Sequence, residues 1–115
     1  MKILIIEDNP VLRENLAFLL KKMYFVVELS ENGKQAIEKT SMNNYDAIVL
    51  DVNMPLMDGK QFLSLLRAQN NTTPVIALTS NSMLEDKLEM FDLGVDDYLT
   101  KPFEVEELAM RLKAL

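Results

Sequence analysis

The sequence predicts an α/β fold, a single doubly wound domain in which a five-stranded parallel sheet is covered by helices on both faces. Three observations predict it. Short apolar runs recur at residues 3–6, 25–29, 47–50 and 75–78, with a weaker one at 98–99. Segments of helical periodicity separate the runs. The length, 115 residues, suits one domain of ordinary size and is too short for two.

The first run, Ile3-Leu4-Ile5-Ile6, is apolar throughout, which is how a strand reads when helices cover each side of its sheet. A helix follows, with Pro10 where a first turn tolerates proline and Leu12, Leu16, Leu19, Leu20 and Met23 on one face. The second run, Phe25-Val26-Val27-Glu28-Leu29, carries one acid near its end, and the helix after it has a weaker stripe of Ala36, Ile37 and Thr40. Ala47-Ile48-Val49-Leu50 is the third strand. The third helix starts after an Asp58-Gly59 turn and places Phe62, Leu63, Leu65 and Leu66 inward. Val75-Ile76-Ala77-Leu78 is the fourth strand. The stripe Leu84, Leu88, Phe91, Val95 then makes a fourth helix, opened by the capping-box pattern Ser82-x-x-Glu85 and closed by Gly94. After Tyr98-Leu99, the fifth helix repeats Val105, Leu108, Leu112 and Leu115 to the last residue.

The order is therefore β-α five times over residues 1–115, without a linker, repeat or low-complexity stretch. Parallel crossovers are right-handed, and a flavodoxin-like order 2-1-3-4-5 is natural at this length. Ligands of such sheets sit beyond the carboxyl ends of the strands, near the point where the order reverses.

Composition narrows the chemistry. Lys and Arg total 12 against 18 Asp and Glu, a net charge of −6, which argues against this domain gripping nucleic acid or an anionic membrane by itself. Hydrophobic residues make up 49% and charged ones 26%, a globular balance. There is no Cys and no His. Disulfides, thiolate catalysis and Cys-type zinc are excluded, and so are imidazole metal sites and Ser-His or Cys-His pairs. The apolar runs fall far below the roughly 20 residues that span a bilayer, and the first is too short for a secretory signal. A cytoplasmic domain without membrane contact is expected, working through carboxylates, hydroxyls, amides and lysine.

The strand ends hold those groups. Glu7-Asp8 follows the first strand, Asp51 ends the third, Thr79-Ser80 ends the fourth, and Lys101-Pro102 follows the fifth. Singly, each has a plain reading: a turn and cap at Glu7-Asp8-Asn9-Pro10, a loop acid at Asp51, a surface lysine at Lys101. Jointly they place three acids, a hydroxyl-rich turn and one lysine at one edge. Two carboxylates about 4 Å apart repel by about 4 kcal/mol at an effective dielectric near 20, and one lysine cannot neutralise three. A hard divalent cation can, and an oxygen-only site suits Mg²⁺ better than zinc. Asp51 is then a candidate nucleophile toward a phosphoryl group, with the metal and Lys101 offsetting charge on the transferring oxygens and Thr79 as a hydroxyl donor.

The segments Ile3-Leu4-Ile5-Ile6-Glu7-Asp8-Asn9, Asp51-Val52-Asn53-Met54-Pro55-Leu56-Met57-Asp58-Gly59, Leu78-Thr79-Ser80 and Asp96-Asp97-Tyr98-Leu99-Thr100-Lys101-Pro102-Phe103 resemble a response-regulator receiver domain of two-component signalling over the whole chain. The resemblance implies Asp51 as phosphoacceptor, served by the phosphohistidine of a sensor histidine kinase. It implies Mg²⁺ on the carboxylates of Asp8 and Asp51 and the backbone carbonyl of Asn53, with Glu7 acting through water. Lys101 would contact the phosphoryl oxygens, and its bond to Pro102 would be cis. It also implies a switch in which Thr79 moves toward the phosphoryl group and the Tyr98 ring follows inward. The message would reach the face made by the fourth helix, fifth strand and fifth helix. Residues two after the acceptor and two after the threonine, Asn53 and Asn81, would tune the phosphate lifetime; both are neutral amides, and an intermediate lifetime is expected.

The closing segment from Lys101 to Leu112 is most similar to the OmpR-type subfamily, which carries a winged-helix DNA-binding domain after the receiver. This implies transcription regulation through an effector domain absent from this chain and a homodimer on the same face. Lys87 would pair with Glu107 of the other subunit and Asp97 with Arg111, around Leu88 and Phe91. The plain reading of those residues is a solvated charged face over a core stripe. The stop at Leu115, still in helical rhythm, is expected of a chain cut from a longer regulator.

Three rival readings are weighed against the same residues. Haloacid-dehalogenase-type phosphatases resemble Asp-x-Asp, but Asn53 stands where their second acid would be. A flavodoxin-like cofactor binder wants a hydroxyl-rich phosphate cradle, and the first loop is acidic; no GxxxxGK[ST] or GxGxxG occurs. A docking receiver that works without phosphorylation, whether stand-alone or not, would usually lack an acid, the acceptor or the lysine. An enzyme acting on other substrates is not expected; the chain would catalyse only its own phosphorylation and dephosphorylation.

Overall fold

The computed structural model describes residues 1–52, 54 and 57–115. Strands β1 (Lys2–Ile6), β2 (Val26–Ser30), β3 (Ala47–Asp51), β4 (Val75–Thr79) and β5 (Asp97–Thr100) alternate with helices α1 (Pro10–Lys22), α2 (Gly33–Met42), α3 (Gly59–Ala68), α4 (Leu84–Asp92) and α5 (Val105–Ala114). The sheet is parallel and ordered β2-β1-β3-β4-β5, as expected. The order reverses between β1 and β3, so a crevice opens beyond the ends of those strands.

Two apolar clusters lie on opposite faces of the sheet, because side chains alternate along each strand. Leu4, Ile6, Ile48, Leu50, Val75 and Ala77 pack with Phe62, Leu63 and Leu66 of α3 and Met90 of α4. Ile3, Ile5, Val49, Ile76 and Leu78 pack with Leu16 and Leu20 of α1 and Leu108 and Leu112 of α5. β3 and β4 are buried along their whole length, which holds their last residues, Asp51 and Thr79, in place at the crevice.

Local chemistry starts the helices where the site needs them. The Asn9 side chain accepts from the Val11 and Leu12 amides, with Pro10 opening α1. Asp58 and Gln61 form a reciprocal capping box at α3. Gly59 sits in that first turn because nothing larger fits: a Cβ there would lie 2.6 Å from the Cα of Val52. Its amide donates to the Val52 carbonyl at 2.9 Å, tying α3 to the end of β3. Gly94 ends α4 with φ +108°, as its position predicted.

Several expectations need correction. β2 starts one residue later than the run of apolar residues suggests, and it is not buried on both faces: Val26 is 59% exposed. It is an edge strand, paired only to β1 among the described strands. Ser82 does not cap α4; Met83 holds the N-cap position without a side-chain bond, while its amide donates to Asn81 Oδ1. The stripe Leu84, Leu88, Phe91 is largely exposed rather than core, and Met90 is the buried residue of α4. Leu19 and Leu65 also face outward, since each lies at the margin of its helix's apolar arc. α5 ends at Ala114, with Leu115 as its cap residue.

Candidate functional site

β1 delivers Glu7 and Asp8 to the crevice. The Glu7 amide donates to the Ser30 carbonyl, and Arg13 of α1 donates to the Glu7 carbonyl at 3.0 Å, so the end of β2 and the first turn of α1 fix this corner. Glu7 is 3% exposed, Asp51 is 4% exposed, and Asp8 is open to solvent. One carboxylate oxygen from each of Glu7, Asp8 and Asp51 lies within 4.8 Å of the others.

Lys101 closes the opposite side. Its amide donates to the Thr79 carbonyl at 2.7 Å, and its bond to Pro102 is cis, as expected. Its Nζ stands 3.3 Å from Asp51 Oδ1 and 3.9 Å from Glu7 Oε1. Among the described residues Lys101 is the one cation in ion-pair range of these carboxylates. Burial pushes Glu7 up to about 8, helped by the neighbouring Asp51 and Asp8 and only partly opposed by Lys101. Glu7 Oε2 is buried and, among the described residues, without a hydrogen-bond partner.

These features fit a hard divalent cation. The donor set is oxygen only, the carboxylates converge, and the orphaned Glu7 oxygen lacks what a cation or its water shell would supply. Glu7, Asp8 and Asp51 are the residues that could hold it. Asn53 lies outside the described residues, so its expected carbonyl contact and its place near the acceptor are not part of this geometry.

Thr79 is 1% exposed, and its Oγ1 accepts from the Asn81 amide at 3.0 Å. Tyr98 is 8% exposed, with its hydroxyl 2.6 Å from the Asn81 carbonyl and 3.1 Å from Asp86 Oδ2. The ring already points inward. Lys87 Nζ sits 5.6 Å above it, and the Phe91 ring centroid is 6.5 Å away. On the outer face of the same corner, Arg111 bonds Asp97 and Glu107 of its own chain, at 3.1 and 3.0 Å. Leu88 is 58% and Phe91 47% exposed.

Sequence reasoning missed three residues that shape this corner: Arg13, which holds the first acidic loop, and the pair Lys60 and Asp86, which stand behind Tyr98. No periodicity or spacing marks them, because each acts across a tertiary contact. Among the described residues no helix is long and apolar enough to cross a membrane.

A doubly wound α/β domain with an oxygen-only acidic pocket at its switch point is the class these observations define. Residues 3–113 match the response regulator receiver domain family, and the chain belongs to it. It is 41% identical over 115 residues to the transcriptional regulatory protein QseB of Escherichia coli O157:H7, covering all of this chain and 52% of that protein. It is 37% identical to the response regulator MprA of Mycobacterium sp. (strain KMS), covering 100% and 50%. The chain thus spans about half the length of the curated relatives it matches. Among solved structures, the receiver domain of Francisella response regulator 1452 superposes with TM-score 0.95 at 37% identity, over 98% of this chain and 93% of that one. The receiver domain of sensor histidine kinase PA1611 from Pseudomonas aeruginosa PAO1, with a magnesium ion coordinated in its active site cleft, gives TM-score 0.90 at 36% identity, over 98% and 94%. The family and the fold expected from the motifs are those found, and the chain is a receiver domain of the two-component response regulators.

Proposed function

We propose that this chain is a phosphorylation-activated switch in which Asp51 accepts a phosphoryl group from the phosphohistidine of a sensor histidine kinase. One observation carries the reading: Asp51 ends a fully buried strand, 4% exposed, 3.3 Å from Lys101 and grouped with the Glu7 and Asp8 carboxylates. A carboxylate oxygen of Asp51 attacks phosphorus, an O–P bond forms, the N–P bond breaks, and the imidazole nitrogen leaves with the electron pair. Lys101 offsets charge growing on the phosphoryl oxygens. Mg²⁺ bound by Glu7, Asp8 and Asp51, with Asn53, would supply the remaining neutralisation. Once the group is in place, the Thr79 hydroxyl turns to it, and Tyr98 is held inward.

The output belongs to the face of α4, β5 and α5. There the exposed Leu88 and Phe91 lie among Lys87, Asp97, Glu107 and Arg111, equal numbers of each sign, as a two-fold pairing needs. The homodimer would control a DNA-binding effector domain not present in this chain, in the cytoplasm and in transcription. The name of one relative, the transcriptional regulatory protein QseB, supports the place in transcription. The acidic balance of the domain leaves DNA contact to that effector. Asn53 and Asn81 set an intermediate lifetime for the phosphate.

Intact mass after incubation with acetyl phosphate and Mg²⁺ tests the core of this. One added phosphoryl group is expected, absent from Asp51→Asn and from a chelator control. No added mass, with beryllofluoride also failing to bind, would instead make the chain a docking receiver that works without phosphorylation.

A further inference from the structure

We propose that Lys60 is a positioning residue for Tyr98, acting through Asp86, and that it biases the receiver toward its phosphoryl-binding state. The proposal deepens the switch reading above and rests on it. Lys60 is the second residue of α3, directly after Gly59, whose amide is bonded to the Val52 carbonyl. Its backbone is therefore fixed to the strand that ends in Asp51. A cavity of about 350 Å³ lies there, its described lining being Val52, Met54, Asp58 and Lys60.

From that anchor the ammonium crosses to α4. Nζ is 2.9 Å from Asp86 Oδ1 and 3.1 Å from Glu89 Oε2. The other Asp86 oxygen, Oδ2, accepts from the Tyr98 hydroxyl at 3.1 Å. One carboxylate thus joins a cation on α3 to a phenol on β5, and each oxygen has a different task. The Asp86 side chain is only 17% exposed, so the ammonium that neutralises it also fixes which oxygen faces Tyr98. With Lys60 gone, the carboxylate is free to turn toward water, and the Tyr98 hydroxyl loses its tie to α4 while keeping the Asn81 carbonyl.

The lever is a population. Partly exposed ion pairs contribute modestly, but the apparent affinity of a ligand falls in proportion to the fraction of protein in its binding-competent state. If inward Tyr98 is part of that state, loss of Lys60 weakens phosphoryl-analogue binding without touching the acidic pocket. Linkage requires the reverse as well: the bound analogue must strengthen the Lys60–Asp86–Tyr98 chain.

The chain has three Tyr and no Trp, so ring-¹³C tyrosine NMR resolves Tyr98 against Tyr24, 93% exposed, and Tyr45, bonded to Glu28. The comparison is wild type, Lys60→Met, Lys60→Arg and Asp86→Asn, each checked for fold by circular dichroism. The expected result is a Tyr98 signal displaced toward the exposed tyrosine in Lys60→Met and Asp86→Asn, and restored in Lys60→Arg. The apparent Kd for beryllofluoride with Mg²⁺ should rise about two- to five-fold in the first two. An unmoved Tyr98 signal, an unchanged Kd, or an Arg variant no better than Met would overturn the role. Should wild type itself fail to bind beryllofluoride, the switch reading fails instead, while the Tyr98 signals of the free proteins still decide whether Lys60 positions the ring.

Discussion

Asp51 stands where an uncharged side chain of the same shape would sit more comfortably. It is 4% exposed and shares its corner with Glu7 and Asp8, with Lys101 3.3 Å away. Without a cation, two charged carboxylates at this range would repel by about 3–4 kcal/mol at an effective dielectric near 20; Glu7, pushed up to about 8, escapes part of that by keeping its proton, and the lysine offsets part of the rest. Asp51→Asn removes a negative charge and keeps the volume. In buffer free of divalent cations it should raise stability by about 1–2 kcal/mol, lifting the melting temperature by roughly 3–8 °C. Thermal unfolding followed by circular dichroism checks this. Saturating Mg²⁺ should narrow or reverse the gap, because ligand binding stabilises the native wild type by mass action. A lower melting temperature for the variant in cation-free buffer would mean that Lys101 outweighs the two neighbouring acids.

Among the helices, α3 does two jobs at its two ends. Its start carries Gly59 and Lys60 against the site; its last turn carries Arg67, far from the chemistry. Arg67 donates to the Gly94 carbonyl from Nε and Nη2, to the Asn71 and Thr73 carbonyls from Nη1, and to Asp96 Oδ2. It thereby joins the turn before β4 to the turn before β5. Arg67→Met keeps the stem and strips those donors, leaving carbonyls short of partners, which should cost about 2–3 kcal/mol. The urea midpoint should fall with an unchanged m-value, while folded protein still takes one phosphoryl group on Asp51. Loss of labelling in folded Arg67→Met would show that this brace reaches the site. None of it was legible beforehand. β1, β3 and β4 were, because strands buried on both faces write themselves as unbroken apolar runs. The site acids and Lys101 were legible too, because strand ends and topology alone bring them together. β2 was misplaced by one residue since an edge strand need not be apolar, and Ser82 failed as a cap since Asn81 took the Met83 amide. Arg67, Lys60 and Asp86 act through contacts between separate elements, and such contacts leave no period in the sequence.

At the scale of the whole molecule, the proposed dimerisation would be a contest between charge and apolar area. Arg111 already bonds Asp97 and Glu107 of its own chain. In a two-fold pairing, a bond from Arg111 to the partner's Asp97 would replace one it already has, so the ionic gain is the small difference between two exposed pairs. Each chain also carries a net charge of −6, which opposes association over distances comparable to the Debye length. The remaining drive is apolar: Leu84, Leu88 and Phe91, 67%, 58% and 47% exposed, gain about 25 cal/mol for each Å² removed from water. For the beryllofluoride-bound protein, sedimentation velocity should therefore find a dimer in wild type and a monomer for Leu88→Glu. Arg111→Gln should weaken the dimer by no more than about ten-fold, the scale of one surface ion pair with its neighbours. Raising salt from about 50 to about 300 mM should tighten the wild-type dimer, since screening relieves net repulsion more than it weakens exchanged pairs. Salt that loosens the dimer, together with an Arg111→Gln loss as complete as that of Leu88→Glu, would place the drive in the ion pairs.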